Sequence, residues 1–163
     1  MSQRNQVAIA ARAELGYVEG PADNQTKFQK VNQAWCGAFV NAMYKSAGVK
    51  APDCTSTLAG ANAFKKLGQW QDAEVATPEV GDSVFFDFPG DGVDRISHIG
   101  VVVKVNADGT VTTIEGNTAG DKKKSTDERN GGEVAQKVRA YKKDNAKKLP
   151  VFVVGFGKPV FKD

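Results

Sequence analysis

One histidine and two cysteines occur in 163 residues. A nucleophile that needs an imidazole base therefore has a single choice, His98, and Cys36 and Cys54 allow at most one disulfide. No run of about 18 or more apolar residues is present, so no membrane-spanning helix is predicted. The polar start Ser2-Gln3-Arg4-Asn5-Gln6 lacks the apolar stretch of a signal peptide, which predicts synthesis in a reducing compartment with both cysteines as free thiols. Charge of one sign does not dominate either. Lys and Arg number 22 against 19 Asp and Glu, and a net charge of +3 is far below that of domains that hold nucleic acid through phosphate contacts. Lys122-Lys123-Lys124, Lys142-Lys143 and Lys147-Lys148 read as solvated loop residues, a weak pull toward a polyanionic surface being the alternative.

What is present fits one soluble domain over 1–163, with 40% apolar and 25% charged residues. Val7, Ala8, Ala11 and Leu15 recur at helical spacings, with Gly16 as a stop. Residues 17 to 34 carry turn chemistry without a period. From Trp35 the set Trp35, Ala38, Phe39, Ala42, Met43 and Ala47 follows the period of an amphipathic helix that Gly48 closes. A third helix is predicted over Leu58 to Leu67. Beyond Pro78 the runs 83 to 88, 99 to 105, 110 to 114, 134 to 141 and 151 to 156 are rich in β-formers and separated by Gly, Asp, Asn and Pro. Helices first and strands afterwards predict an α+β domain, N-terminal helices packed on a C-terminal antiparallel sheet.

Chemistry concentrates where the second helix begins. Cys36 falls in its first turn, beside the buried stripe, where free N–H groups and the positive end of the macrodipole favour a thiolate; the plainer reading is a small buried hydrophobe. Asn106-Ala107-Asp108-Gly109 predicts a hairpin turn. If Val105 faces Thr110, then His98 lies opposite Asn117 and Gly100 opposite Glu115, and His98, Glu115 and Asn117 project from one face. Opposed residues have Cβ atoms roughly 4.5 to 5.5 Å apart, so the imidazole reaches a carboxylate or amide, with room left by Gly100. Cys36 would attack, His98 would carry the proton, and Glu115 would orient the ring, with Asn117 in support. The N–H of Cys36, with the Gln33 side chain as second candidate, would meet the oxyanion. Trp35 reads as core that also borders the groove, and Cys54 as a bystander thiol.

Leu15-Gly16-Tyr17, Asn24-Gln25-Thr26-Lys27-Phe28, Trp35-Cys36-Gly37-Ala38-Phe39-Val40, Gly81-Asp82-Ser83-Val84-Phe85-Phe86, Ser97-His98-Ile99-Gly100-Val101-Val102, Ile114-Glu115-Gly116-Asn117-Thr118 and Val154-Gly155-Phe156-Gly157-Lys158-Pro159 occur in this order along nearly the whole chain. With them the sequence resembles the cysteine, histidine-dependent amidohydrolase/peptidase family, CHAP, in particular the catalytic modules of endolysins from phages of actinobacteria. The resemblance implies a papain-like, CHAP/NlpC-type core and a cysteine-dependent peptidoglycan endopeptidase or N-acetylmuramoyl-L-alanine amidase, with roles carried to Cys36, His98, Glu115 and Asn117. It further implies bacterial peptidoglycan as partner, no cofactor, a monomer, synthesis in the host cytoplasm and holin-dependent release to the wall, ending in lysis. No wall-binding domain is expected within these residues, whether the chain is a module or a single-domain lysin. Some relatives bind calcium just before the nucleophile; Lys27, Gln29, Val31 and Gln33 stand there instead, so no metal is expected. Asp87, Asp91 and Asp94 around Pro89-Gly90 read as a turn. A papain-fold transglutaminase or deamidase and a non-catalytic wall-binding module are the alternatives.

Overall fold

Ser2 starts the first helix by accepting a hydrogen bond from the N–H of Asn5, and α1 (Gln3–Ala13) buries Val7, Ala8 and Ala11. Leu15, expected on that stripe, lies beyond the helix end and is exposed. Helix α2 (Cys36–Ser46) is apolar on most sides and accordingly is the most buried of the helices. Ser56 caps α3 (Thr57–Lys66) by accepting from Ala59 N–H. The computed structural model describes residues 1–92 and 95–162, so Asp94 lies outside the described residues.

Among the described residues the remaining elements are β1 (Trp70–Asp72), a 3-10 turn (Ala73–Val75), β2 (Ser83–Phe86), β3 (His98–Val105), β4 (Thr110–Thr118), β5 (Glu133–Ala140) and β6 (Val153–Gly157). They form one sheet in the order β1-β6-β2-β3-β4-β5, every neighbouring pair antiparallel. The α+β expectation holds. Alternation gives each strand two destinations. Ile99, Val101, Val103 and Ile114 pack with Val7, Ala11, Phe39, Val40 and Met43 of the helices, whereas Val84, Phe86, Val102, Val111 and Phe156 join Tyr141 in a second cluster.

β4 runs past the expected end at Ile114 and carries Glu115 and Gly116 inside the strand. Its neighbour on the helical side comes very close: a Cβ on Gly116 would sit 2.6 Å from Cβ of Phe39 and 3.0 Å from Cζ3 of Trp35. Only a residue without a side chain lets the strand lie against the first turn of α2, and that approach sets the level of β4 relative to Cys36.

Candidate active site

Cys36 is the first residue of α2, after Trp35 at the N-cap, and is only 4% exposed. Trp35 anchors that helix start. Its carbonyl accepts the first helical bond from Phe39 at 2.9 Å, and its ring stacks on Phe28 at 5.7 Å and meets Tyr17 edge-on at 5.9 Å. Because the ring is wholly buried, it presents no surface to a groove, and the expectation that Trp35 borders one is corrected: the aromatic cluster closes over it. Gln33 is exposed on the loop leading into the helix, where its carbonyl accepts a 2.6 Å bond from the Gln29 amide.

His98 opens β3 and is completely buried, its ring centroid 5.6 Å from those of both Phe86 and Phe88. Nε2 lies 2.9 Å from Oε1 of Glu115. The other nitrogen, Nδ1, is buried without a hydrogen bond of regular geometry, while the Cys36 thiol interacts with the ring from α2. Burial opposes a charge on this imidazole, but the thiol and the carboxylate outweigh it and raise the pKa to about 9. The ring therefore keeps a proton at neutral pH, placed between a sulfur and a carboxylate.

Glu115 is equally buried, and more holds it than the hairpin alone suggests. Its Oε1 accepts from His98 and, at 2.6 Å, from Nη2 of Arg139; its Oε2 accepts from Thr113 Oγ1 at 2.5 Å and from Nε of Arg139 at 2.9 Å. Burial alone would favour the neutral acid, but Arg139 and then His98 reverse it and hold the carboxyl well below the usual carboxylate range. Arg139 and Thr113 escape sequence reasoning. Thr113 lies two residues from Glu115 on its own strand, so the period-two rule is the signal that finds it; Arg139 depends on pairing across the long loop 119–132.

Asn117 does not join this group. It has a left-handed backbone, φ +54°, just where the β4–β5 register shifts between Glu115 and Thr118, so the alternation that would aim it at His98 is broken. Its amide instead donates to Asn130 Oδ1 at 3.1 Å and Asn24 Oδ1 at 3.5 Å and accepts from Gly132 N–H at 3.0 Å. The expectation that His98, Glu115 and Asn117 share one face is corrected for Asn117. Cys36 and Cys54 are both free thiols. Cys54 is buried, its sulfur 3.4 Å from the Pro52 carbonyl, and burial, Asp53 and Cys36 push its pKa up to about 12; it is no nucleophile at neutral pH. Asp91 accepts from Ser97 Oγ at 2.7 Å and pairs with Arg129 at 3.1 Å, which ties the turn 87–92 to the approach to β3. Among the described residues no three His, Cys, Asp or Glu side chains converge as a metal site. Beside the histidine, an open depression of about 480 Å³ runs from Phe88–Asp91 to Thr126–Arg129, with Phe88 separating it from the His98 ring.

The family model described as CHAP domain matches residues 28–117. Among solved structures, NlpC2 from Trichomonas vaginalis superimposes with a TM-score of 0.59 at 15% identity, over 99% of this chain and 48% of that one. A protein of the NLP/P60 family, similar to lipoprotein, from Staphylococcus aureus gives 0.52 at 12% identity, over 96% of this chain and 41% of that one. At these identities the likeness is one of fold, the papain-like fold of NlpC/P60 domains. The chain spans about half the length of the solved chains it matches, or less. No curated protein matches the sequence significantly.

Proposed function

The chain belongs to the CHAP domain family, and we propose on that premise that it hydrolyses an amide or peptide bond of bacterial peptidoglycan with Cys36 as nucleophile. The observation that carries the reading is the meeting of elements at one buried point: a thiol on the first turn of α2, the His98 ring, and a carboxylate that fixes the far nitrogen of that ring at 2.9 Å. A thiol and an imidazole so arranged, the imidazole oriented by a third group, are what acyl transfer needs.

In the proposed reaction the Cys36 sulfur, its proton held on Nδ1 of His98, attacks the carbonyl carbon. The tetrahedral oxyanion is met by the N–H of Cys36 at the helix N-terminus, with exposed Gln33 the candidate side-chain donor. Collapse breaks the C–N bond as His98 gives its proton to the leaving nitrogen, leaving an acyl-thioester. Water then attacks that ester, His98 takes its proton, and the thiol returns with the acid product. Glu115 keeps the ring in the useful orientation throughout. Asn117 acts at one remove, by fixing the loops at the end of β4. The ordered motifs shared with endolysin modules support a lytic role at the wall after release from the cytoplasm, with 1–163 as one catalytic unit. Among the described residues no helix is long and apolar enough to cross a membrane.

Mass spectrometry of digested, purified walls tests this. New N-terminal L-alanine with intact free glycan identifies the muramoyl amide as the bond cut, and any other new amine identifies a stem or cross-bridge peptide. Cys36→Ala, shown folded by circular dichroism, is expected to release neither; release that survives the substitution overturns the proposal. Inactivity on walls with turnover of a glutamine substrate would assign transglutaminase or deamidase chemistry. Wall binding without cleavage, equal in both proteins, would make the chain a binding module.

A further inference from the structure

We infer that Arg139 is a positioning residue for this reaction: its guanidinium clamps Glu115 as a fixed, ionised acceptor for Nε2 of His98 and thereby keeps the opposite side of the ring on Cys36. The inference rests on the hydrolase reading above, and the geometry specifies it atom by atom. Nε and Nη2 of Arg139 form the two-pronged grip on the carboxylate at 2.9 and 2.6 Å, which a planar guanidinium makes and a point charge does not. With His98 and Thr113 added, each oxygen of Glu115 accepts two hydrogen bonds, so the roughly four acceptor positions of a carboxylate are filled. A group so occupied has no lone pair left to rotate toward another donor. The adjacent guanidinium also favours the ionised carboxylate, so the Nε2 proton stays on the ring and the proton on Nδ1 is the one left to serve the leaving nitrogen.

Arg139 is itself held. Nη2 also donates to Glu128 Oε2 at 2.8 Å, and Lys137 pairs with Glu128 at 3.5 Å. The guanidinium carbon lies 5.1 and 5.2 Å from the ring centroids of Phe86 and Phe88, the same rings that pack on His98. One aromatic wall thus fixes both the imidazole and the cation that fixes its carboxylate. The charged and titratable groups acting on Glu115 are His98 from β3 and Arg139 from β5, with Thr113 beside it on β4; Glu128 and Lys137 act through Arg139, and Cys36 of α2 acts through His98. Without the guanidinium, the carboxylate would remain buried with two donors, and burial would then favour its protonated form.

The test compares wild type, Arg139→Gln and Arg139→Lys in kcat and KM for cleavage of soluble muropeptides across pH. For Arg139→Gln we expect KM nearly unchanged and kcat lower by about 10- to 100-fold, part of what general acid–base catalysis contributes. The acid limb should also move to higher pH, because the working form of Glu115 is the carboxylate and it now takes a proton more readily. Arg139→Lys keeps the charge and the fold: its acid limb should return toward that of wild type while kcat stays reduced, since an ammonium cannot grip both oxygens. Profiles parallel to wild type in both variants, or full kcat in Arg139→Lys, overturn the inference. A second readout needs no substrate. Because His98 is the sole histidine, nitrogen-15 imidazole spectra report one ring, and the slowly exchanging Nε2 proton bonded to Glu115 should persist in wild type to low pH and vanish from Arg139→Gln at mildly acidic pH. If walls are not cleaved by wild type but that signal behaves so, the hydrolase reading fails and the clamp stands; if walls are cleaved and the signal is indifferent to Arg139, the clamp fails alone.

Discussion

His98 holds its proton far more tightly than a free imidazole, and this fixes the direction in which activity depends on pH. An unperturbed histidine gives up its proton near pH 6.5, whereas the Cys36 thiol and Glu115 lift this one to about 9 against the effect of burial. In the proposed reaction the form that serves the leaving nitrogen is the imidazolium. The rate of bond cleavage is therefore expected to stay level through neutral pH and to fall as pH rises through about 9. Initial rates on soluble muropeptides, taken at low temperature so that the fold persists, check this. A fall centred near 6.5 would mean that the ring is solvated during catalysis and that the burial seen here does not describe the working state. His98→Ala removes the profile altogether, because no other imidazole exists in the chain to replace it.

At the scale of elements, the site depends on strands that approach more closely than side chains normally permit. A Cβ on Gly100 of β3 would stand 2.6 Å from Cγ of Glu115 and 3.3 Å from the Ile114 carbonyl. Glu115 cannot yield, since its hydrogen bonds bind it to two other strands and its own. Gly100→Ala is therefore expected to cost about 1 to 3 kcal/mol of stability through overpacking. It should also lower activity more than the loss of folded protein explains, because the displaced group is the one that orients His98. Urea unfolding and wall-cleavage rates on the same preparation separate the two effects.

The hairpin between β3 and β4 also shows how far sequence reasoning reached. The turn predicts Val105 opposite Thr110, but Val105 pairs with Val111, and a register shift between Val102 and Lys104 absorbs the difference. By the time the chain reaches Val101 opposite Ile114, the expected pairing is restored, so Gly100 and Glu115 meet as the simple register predicts. A bulge has no strong local signature here, since Val103 reads like any strand residue; the site was legible because the bulge lies between it and the turn. Arg139 was not legible, because its place opposite Val111 is set by pairing across the loop 119–132, whose length leaves the register of β5 free. The edge strand β1 was missed for a different reason: three residues are too short to show an alternation.

Considered as a whole, the molecule is tied at two buried charge centres. Asp82, fully buried, accepts from Arg4 of α1 at 2.9 Å and from Lys158, just past β6, at 2.5 Å, so the first helix and the last strand are fastened to the segment that enters β2. The other centre is the buried pair His98 and Glu115, and its titration makes global stability depend on pH. Glu115 has a depressed pKa in the folded state, so its contribution is present above the unfolded carboxylate value and is lost as pH falls. His98 has a raised one, so its contribution is complete below about pH 6.5 and is lost as pH rises toward about 9. Stability should therefore be greatest between roughly pH 4.5 and 6.5 as far as these groups decide it. Above that window the unfolded chain has released the His98 proton while the folded chain still binds it, so stability should fall as pH rises toward about 9, by less than the shift of the ring alone implies because part of that shift is its coupling to the Cys36 thiol. Calorimetry from pH 5 to 9 on wild type and His98→Gln checks it: the variant starts lower but should lose the alkaline slope, because no proton is then taken up by the fold at that position. An equal slope in both proteins would place the alkaline loss in other groups and remove the ion pair as its cause.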